Sequence, residues 1–193
     1  MDTPLSRKEQ THDRILDVAA GVMRAHGFDG VGVADIMKRA GLTHGGFYAH
    51  FASRDALLAE ALERAGHDSR SRLQRAIDKA GDAPGERFRA LVEAYLSERH
   101  LKSPDSGCPV AALASEMPRQ SEAVRAVAAR RIAGLTDAVA ATLGPSRGRD
   151  DAAIVTSQLV GALQTARLLG DNAKGRRHLA ASRAFLLERF GAH

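Results

Sequence analysis

Residues 41 to 51 read GLTHGGFYAHF, two adjacent glycines followed by a dense aromatic group. Gly45 and Gly46 stand where a short helix should begin, although a helix interior disfavours glycine by about 1 kcal/mol relative to alanine. Phe47, Tyr48 and Phe51 crowd together in a chain with only two tyrosines, six phenylalanines and no tryptophan. A weakened helix held by aromatics is expected where backbone must come close to something outside the chain.

The flanking sequence is helical by spacing. Ile15, Val18, Ala19, Val22 and Met23 form one stripe of an amphipathic helix from Arg7 to about His26. Gly27 followed by Phe28 reads as its end. Val33, Ile36, Met37 and Ala40 repeat the stripe until Gly41 stops it. Thr43 then suits the N-cap of a very short third helix, to about His50. Ser53 caps a long fourth helix that begins RDALLAEALERA and runs towards Ala80.

After a break at 81–85, helices are expected from Glu86 to Leu101, from Pro109 to before Pro118, and from Arg119 to Leu143. Two more run from Asp151 to Leu169 and from Arg176 to Phe190, with GPSRGRD and Gly170-Asp171-Asn172 as punctuation. With no strand alternation, the expected fold class is all-α, about nine helices.

The totals agree with that class and narrow the function. The chain has 193 residues, 44% hydrophobic, enough for one or two small domains. No apolar run reaches the ~18 residues of a membrane span. The polar start, MDTPLSRKEQTHDR, predicts no secretion signal, so a soluble cytoplasmic protein is expected. One cysteine, Cys108, allows no internal disulfide and no thiolate cluster for a metal. A net charge of +5 points weakly to a polyanionic partner, yet residues 1–56 carry equal numbers of acids and bases. Nucleic acid bound there would need placed donors rather than a bulk field.

By spacing alone, 32–51 is either a tight helical corner or a helix-turn-helix, two short helices joined by a turn containing glycine. In the second reading Phe47 packs inward, while Gly45 leaves backbone bare for DNA. Thr43, Tyr48 and His50 carry donors for phosphate, and His44 reaches a base edge. Gly46 lies in the same bare stretch. Arg54, in the first turn after Ser53, adds its guanidinium to the phosphate-binding amides of that helix end.

Residues 9–69 decide between the two. RILDVAAGVMRAHGFDG, VADIMKRAGLTHGGFYAHF and SRDALLAEAL resemble the N-terminal domain of the TetR family of transcriptional regulators. The resemblance implies a DNA-binding domain over 1–52, with its helix-turn-helix at 32–51, and a helical effector-binding and dimerisation domain over 53–193. Its partners would be double-stranded operator DNA, a second copy of the chain and an unknown small effector, with no cofactor, metal or catalysis. The chain departs from the family at Val31-Gly32, where threonines are usual, and Ala34 offers no long base-reading side chain. Specificity should therefore rest on His44, Gly45 and Tyr48.

In the C-terminal part, Gly161, Ala162 and Ala166 permit close helix approach, with Leu159, Leu163, Leu186 and Leu187 supplying apolar area. They predict either a four-helix dimer interface or the core of a monomer. An effector pocket is expected among Phe88, Tyr95, Leu113, Met117 and Gln164. Cys108, just before the helix that Pro109 opens, is a small buried hydrophobe, a sensor of electrophiles or oxidants, or, remotely, the centre of a small redox enzyme. His100 reads as a surface or capping residue rather than a base.

Overall fold

The computed structural model of the protein describes residues 6–81, 83, 85–144 and 146–191. Residues 1–5, Asp82 and Pro84 of the expected break, Pro145, and the last two residues lie outside the described set. Among the described residues the fold is all-helical, with nine α-helices. These are α1 (Arg7–His26), α2 (Val33–Arg39), α3 (Arg54–Asp78), α4 (Glu86–Tyr95) and α5 (Glu98–Lys102). They continue with α6 (Pro109–Leu113), α7 (Glu122–Ala140), α8 (Arg149–Leu169) and α9 (Ala173–Phe190). Short 3₁₀ segments occupy His44–Ala49, Pro104–Ser106 and Met117–Arg119.

Local chemistry sets the ends. A capping box starts α1: the Glu9 N–H donates to Ser6 Oγ at 3.3 Å, and the Ser6 N–H donates to Glu9 Oε2 at 2.7 Å. Of the predicted stripe, Ile15, Ala19, Val22 and Met23 are buried and Val18 is half-buried, while Leu16 and Ala20 extend the buried face. Gly27 ends it with φ +78°, and a Cβ there would meet the Glu116 carboxylate at 2.8 Å. That carboxylate accepts from the Phe28 N–H at 2.9 Å, so the α1–α2 corner is tied to the segment after α6.

Two expected helices are shorter than their patterns. The stretch 86–101 breaks at Leu96, and Ser97 starts α5 by accepting from the His100 N–H at 3.1 Å. The segment around Pro118 is a 3₁₀ turn, so α7 begins at Glu122 after Ser121. Conversely α9 starts earlier than expected, because Asn172 Oδ1 accepts from the amides of Lys174 and Gly175.

Two cores share α3. The first joins α1, α2 and the reader segment to Leu57, Leu58, Ala61, Leu62 and Ala65 of α3, and takes in Leu113, Met117, Val124 and Val127. The second gathers Ile77, Phe88, Leu91 and Val92 around Val155, Leu159 and Leu163 of α8, with Leu179, Leu186 and Phe190 of α9. Residue 53, the expected start of the second domain, caps a helix that serves both. A movement of α3 is therefore felt by the reader segment and by the C-terminal bundle alike.

Candidate functional site

The turn between α2 and the reader is built from hydrogen bonds. Gly41, at φ +71°, donates its N–H to Lys38 O at 3.0 Å, and Leu42 donates to Met37 O at 2.9 Å. This is the Schellman pattern, and its left-handed C′ position suits glycine. Gly32, at the N-cap of α2, makes no side-chain bond, so the usual hydroxyl contact is missing there.

The reader itself is a six-residue 3₁₀ helix rather than the expected α-helix. At three residues per turn, His44 and Tyr48 project roughly 120° apart, instead of the roughly 40° of an α-helix. Thr43 occupies the N-cap position, but its hydroxyl caps nothing. Phe47 and Phe51 are buried and stack at 5.6 Å, while His12 of α1 stacks on Phe51 at 4.5 Å. His12 Nε2 also pairs with Glu60 of α3 at 2.8 Å, so α1 and α3 clasp the reader from both sides.

Outward of this clasp lie Thr43, His44, Gly45 and Tyr48, all exposed, with Tyr48 at 72%. Gly46 is half-buried, and a Cβ on it would touch the Met37 methyl at 3.6 Å. A Cβ on Gly45 would meet nothing within 4 Å, and its φ is not in the left-handed region. Nothing in the chain requires glycine at position 45.

Two of the expected phosphate ligands are placed differently. Arg54 is turned inward: Nη2 donates to Phe28 O at 2.5 Å and Nε to Val31 O at 3.0 Å. The α1–α2 linker leaves these carbonyls without helical partners, and the first turn of α3 lies beside them, so Arg54 braces the domain instead of reaching phosphate. His50 is half-buried with Nδ1 covered and unpartnered. Burial first, then His12 and Lys8, pushes its pKa down.

The expected effector pocket is divided. Leu113 and Met117 belong to the first core, Phe88 and Tyr95 to the second, because α6 passes between the two cores. Met117 and Gln164 line an apolar groove of about 490 Å³ between α6, α7 and α8. Tyr95 lines another, of about 480 Å³, between α3 and the α4–α5 corner. Cys108 is 5% exposed and borders a separate cleft of about 40 Å³.

His100 proves to be the cap that the sequence allows. Its Nε2 accepts from the Cys108 N–H at 2.9 Å, so Nδ1 carries the proton and donates to Tyr95 O at 2.7 Å. Burial pushes its pKa down to about 4, which keeps the ring neutral near pH 7. The tautomer is fixed, and it locks the end of α4 to the start of α6.

The sequence profile described as "Bacterial regulatory proteins, tetR family" matches residues 15–61, and "Tetracyclin repressor-like, C-terminal domain" matches 84–182. The chain belongs to the TetR family. It is thus a helix-turn-helix transcriptional regulator that binds DNA. An HTH-type transcriptional regulator of Mycobacterium tuberculosis is 28% identical over 170 residues, 82% of this chain and 85% of that one. A TetR transcriptional regulator of Chloroflexus aurantiacus shares the fold with a TM-score of 0.78 at 20% identity, covering 97% of this chain and 98% of its own. So does the reduced form of Escherichia coli NemR, a transcriptional repressor, at 0.77 and 21%, covering 95% and 98%.

The expected dimer interface lies on α8 and α9. Of the expected interface residues, Leu159, Ala162, Leu163, Ala166 and Leu186 are buried within the chain's own core, and Gly161 and Leu187 are half-buried. The stripe read as an interface is therefore mainly the inner face of this TetR-family bundle. The large apolar side chains that α8 and α9 leave outside are Ile154 (56% exposed), Leu168 (89%), Leu169 (40%) and Phe185 (51%).

Sequence reasoning also missed three residues that join this TetR-family reader to the rest of the chain. They are His12, Glu116, and Arg24, which is buried and donates from Nε to Asp105 O at 2.5 Å. Arg24 falls outside the apolar stripe of α1, and the partners of the three lie 48, 81 and 88 residues away, so no local pattern marks them.

Proposed function

We propose that the chain is a repressor. As a homodimer it binds a near-palindromic operator, and a small effector held in the C-terminal domain releases it. Gly45 carries the reading. A residue that weakens its helix, fits no internal constraint and sits exposed between His44 and Tyr48 makes sense where another molecule's backbone must approach. A lone reader covers too few bases, whereas a dimer places two of them about 34 Å apart on one face of DNA. The leftover apolar side chains of α8 and α9 supply a surface for that pairing. Likeness to NemR, a repressor, supports repression rather than activation. Release follows if the effector favours a conformer whose readers no longer match successive major grooves. Switching by modification of Cys108 is the alternative, and burial of the thiol speaks against it.

Gly45→Ala tests this directly. The substitution should stabilise the fold by roughly 0.5–1 kcal/mol, since alanine fits the site and narrows the unfolded ensemble. Binding to a duplex selected by the wild-type chain from a randomised pool should nonetheless weaken at least tenfold. A thermal melt and a gel shift read the two effects. Equal affinity of variant and wild type would remove Gly45 from the interface.

A further inference from the structure

The groove between α3 and the α4–α5 corner is lined by Arg72, Arg75, Lys79 and Arg99, and by no carboxylate. None of the four is in an ion pair with a described residue, and the nearby acid that acts on Arg72, Asp68, is not part of the lining. Behind Gly107 of the lining, and not itself lining the groove, stands Arg167. Its Nη2 donates to His100 O at 3.0 Å, but Nε and Nη1 are buried without partners. Guanidinium nitrogens buried without partners are costly, and burial holds the Arg167 pKa below its ordinary value, with Tyr95 and Cys108 giving partial relief. Burial, and then crowding by Arg75 and Arg99 against the relief given by Asp68, holds the Arg72 pKa below its ordinary value. Serines, Tyr95, His100 and the apolar Leu73 and Ala76 line the rest, and about 480 Å³ suits a small organic molecule.

We propose that this groove is the effector site and that its ligand is a small organic anion, a carboxylate or a phosphate ester. The proposal rests on the effector-released reading above and adds the ligand's class and place. Four cations without acids would recognise the anionic group, and the serines and apolar wall would hold the remainder.

The same wall leads to the reader. Arg72 donates to Ser106 O, and Arg24 of α1 donates to Asp105 O in the same turn. An anion that draws the Arg72 guanidinium into the groove takes it from that turn, and the turn is what holds Arg24. The end of α1 then shifts with it, and α1 leads through Gly27 into the helix-turn-helix.

Arg75 and Arg99 are the residues to change, because Arg72 also supports the turn. The double variant Arg75→Gln/Arg99→Gln and the wild type are melted with phosphate, citrate and glucose 6-phosphate, against chloride at matched ionic strength and against glucose. The wild type should gain several degrees with at least one of the three anions and none with glucose. The double variant should melt normally alone and need at least tenfold more anion for the same gain. No gain with any anion, or an equal gain in the variant, overturns the proposal. The anion that binds is then added to the operator complex. Release from wild type but not from the double variant joins site to regulation. Binding without release leaves an anion site but overturns its assignment as the effector site, and leaves the effector-released reading to another pocket.

Discussion

Arg54→Met should lower the stability of the fold by about 3 kcal/mol and abolish operator binding as a consequence. The guanidinium donates two charge-assisted hydrogen bonds to Phe28 O and Val31 O, and bonds of that kind contribute about 1.5–3 kcal/mol each. Methionine fills part of the space but removes the charged donor from both carbonyls, leaving Phe28 O with only the Val31 N–H at 3.2 Å. Urea denaturation should show a lower midpoint, and the melting temperature should fall by roughly 6–12 °C for a chain of this size. A phosphate ligand would behave differently. Stability would be unchanged, operator affinity would fall modestly, and the slope of affinity against salt would drop by about one contact. The two roles of Arg54 are thus separated by one melt and one salt series.

The second large effect concerns the dimer. Leu168→Glu together with Phe185→Glu should leave each chain folded, because both side chains already stand in solvent. In a two-fold pair each new carboxylate appears twice, and burying it unpaired costs several kcal/mol. Sedimentation should report monomers, and affinity for a palindromic duplex should fall by about two orders of magnitude or more as the linked second site is lost. A variant that still sediments as a dimer would place the interface elsewhere. Leu159→Glu gives the contrast: its side chain is fully buried in the chain's own core, so that variant should lose its fold rather than its partner.

What the sequence made legible was local. The α1 stripe, the Gly41 turn and the inward phenylalanines each depend on neighbours within a few residues, where helical period and turn chemistry decide. Arg54 was misplaced because its partners lie 23 and 26 residues back, in a linker whose carbonyls have no sequence signature. The α8 stripe was recognised as apolar but left open between a dimer interface and the chain's own core. Val155, Leu159, Ala162 and Leu163 form one face and Ile154, Gly161 and Leu168 another, and composition does not say which face turns in. The break at Leu96 escaped because Ser97, a good N-cap, sits inside an otherwise continuous apolar pattern. The expected pocket failed for a related reason: α6 lies between two cores, so its Leu113 joins one and its Cys108 neighbour the other. The cationic groove was invisible in the same way, since Arg72 and Arg99 meet only when α3 packs beside the α4–α5 corner.

The central claim is that the surface around Tyr48 reads operator DNA, and one titration addresses it. Tyr48→Ala is measured against the duplex selected by the wild-type chain, at one fixed salt concentration, with its melting temperature recorded alongside. Tyr48 is 72% exposed and touches only the edge of Phe47, at 5.2 Å, so the fold should be unaffected. The account predicts an unchanged melt and a Kd raised about 100-fold or more, equivalent to roughly 2.7 kcal/mol. An unchanged melt with a Kd within twofold of wild type would contradict it.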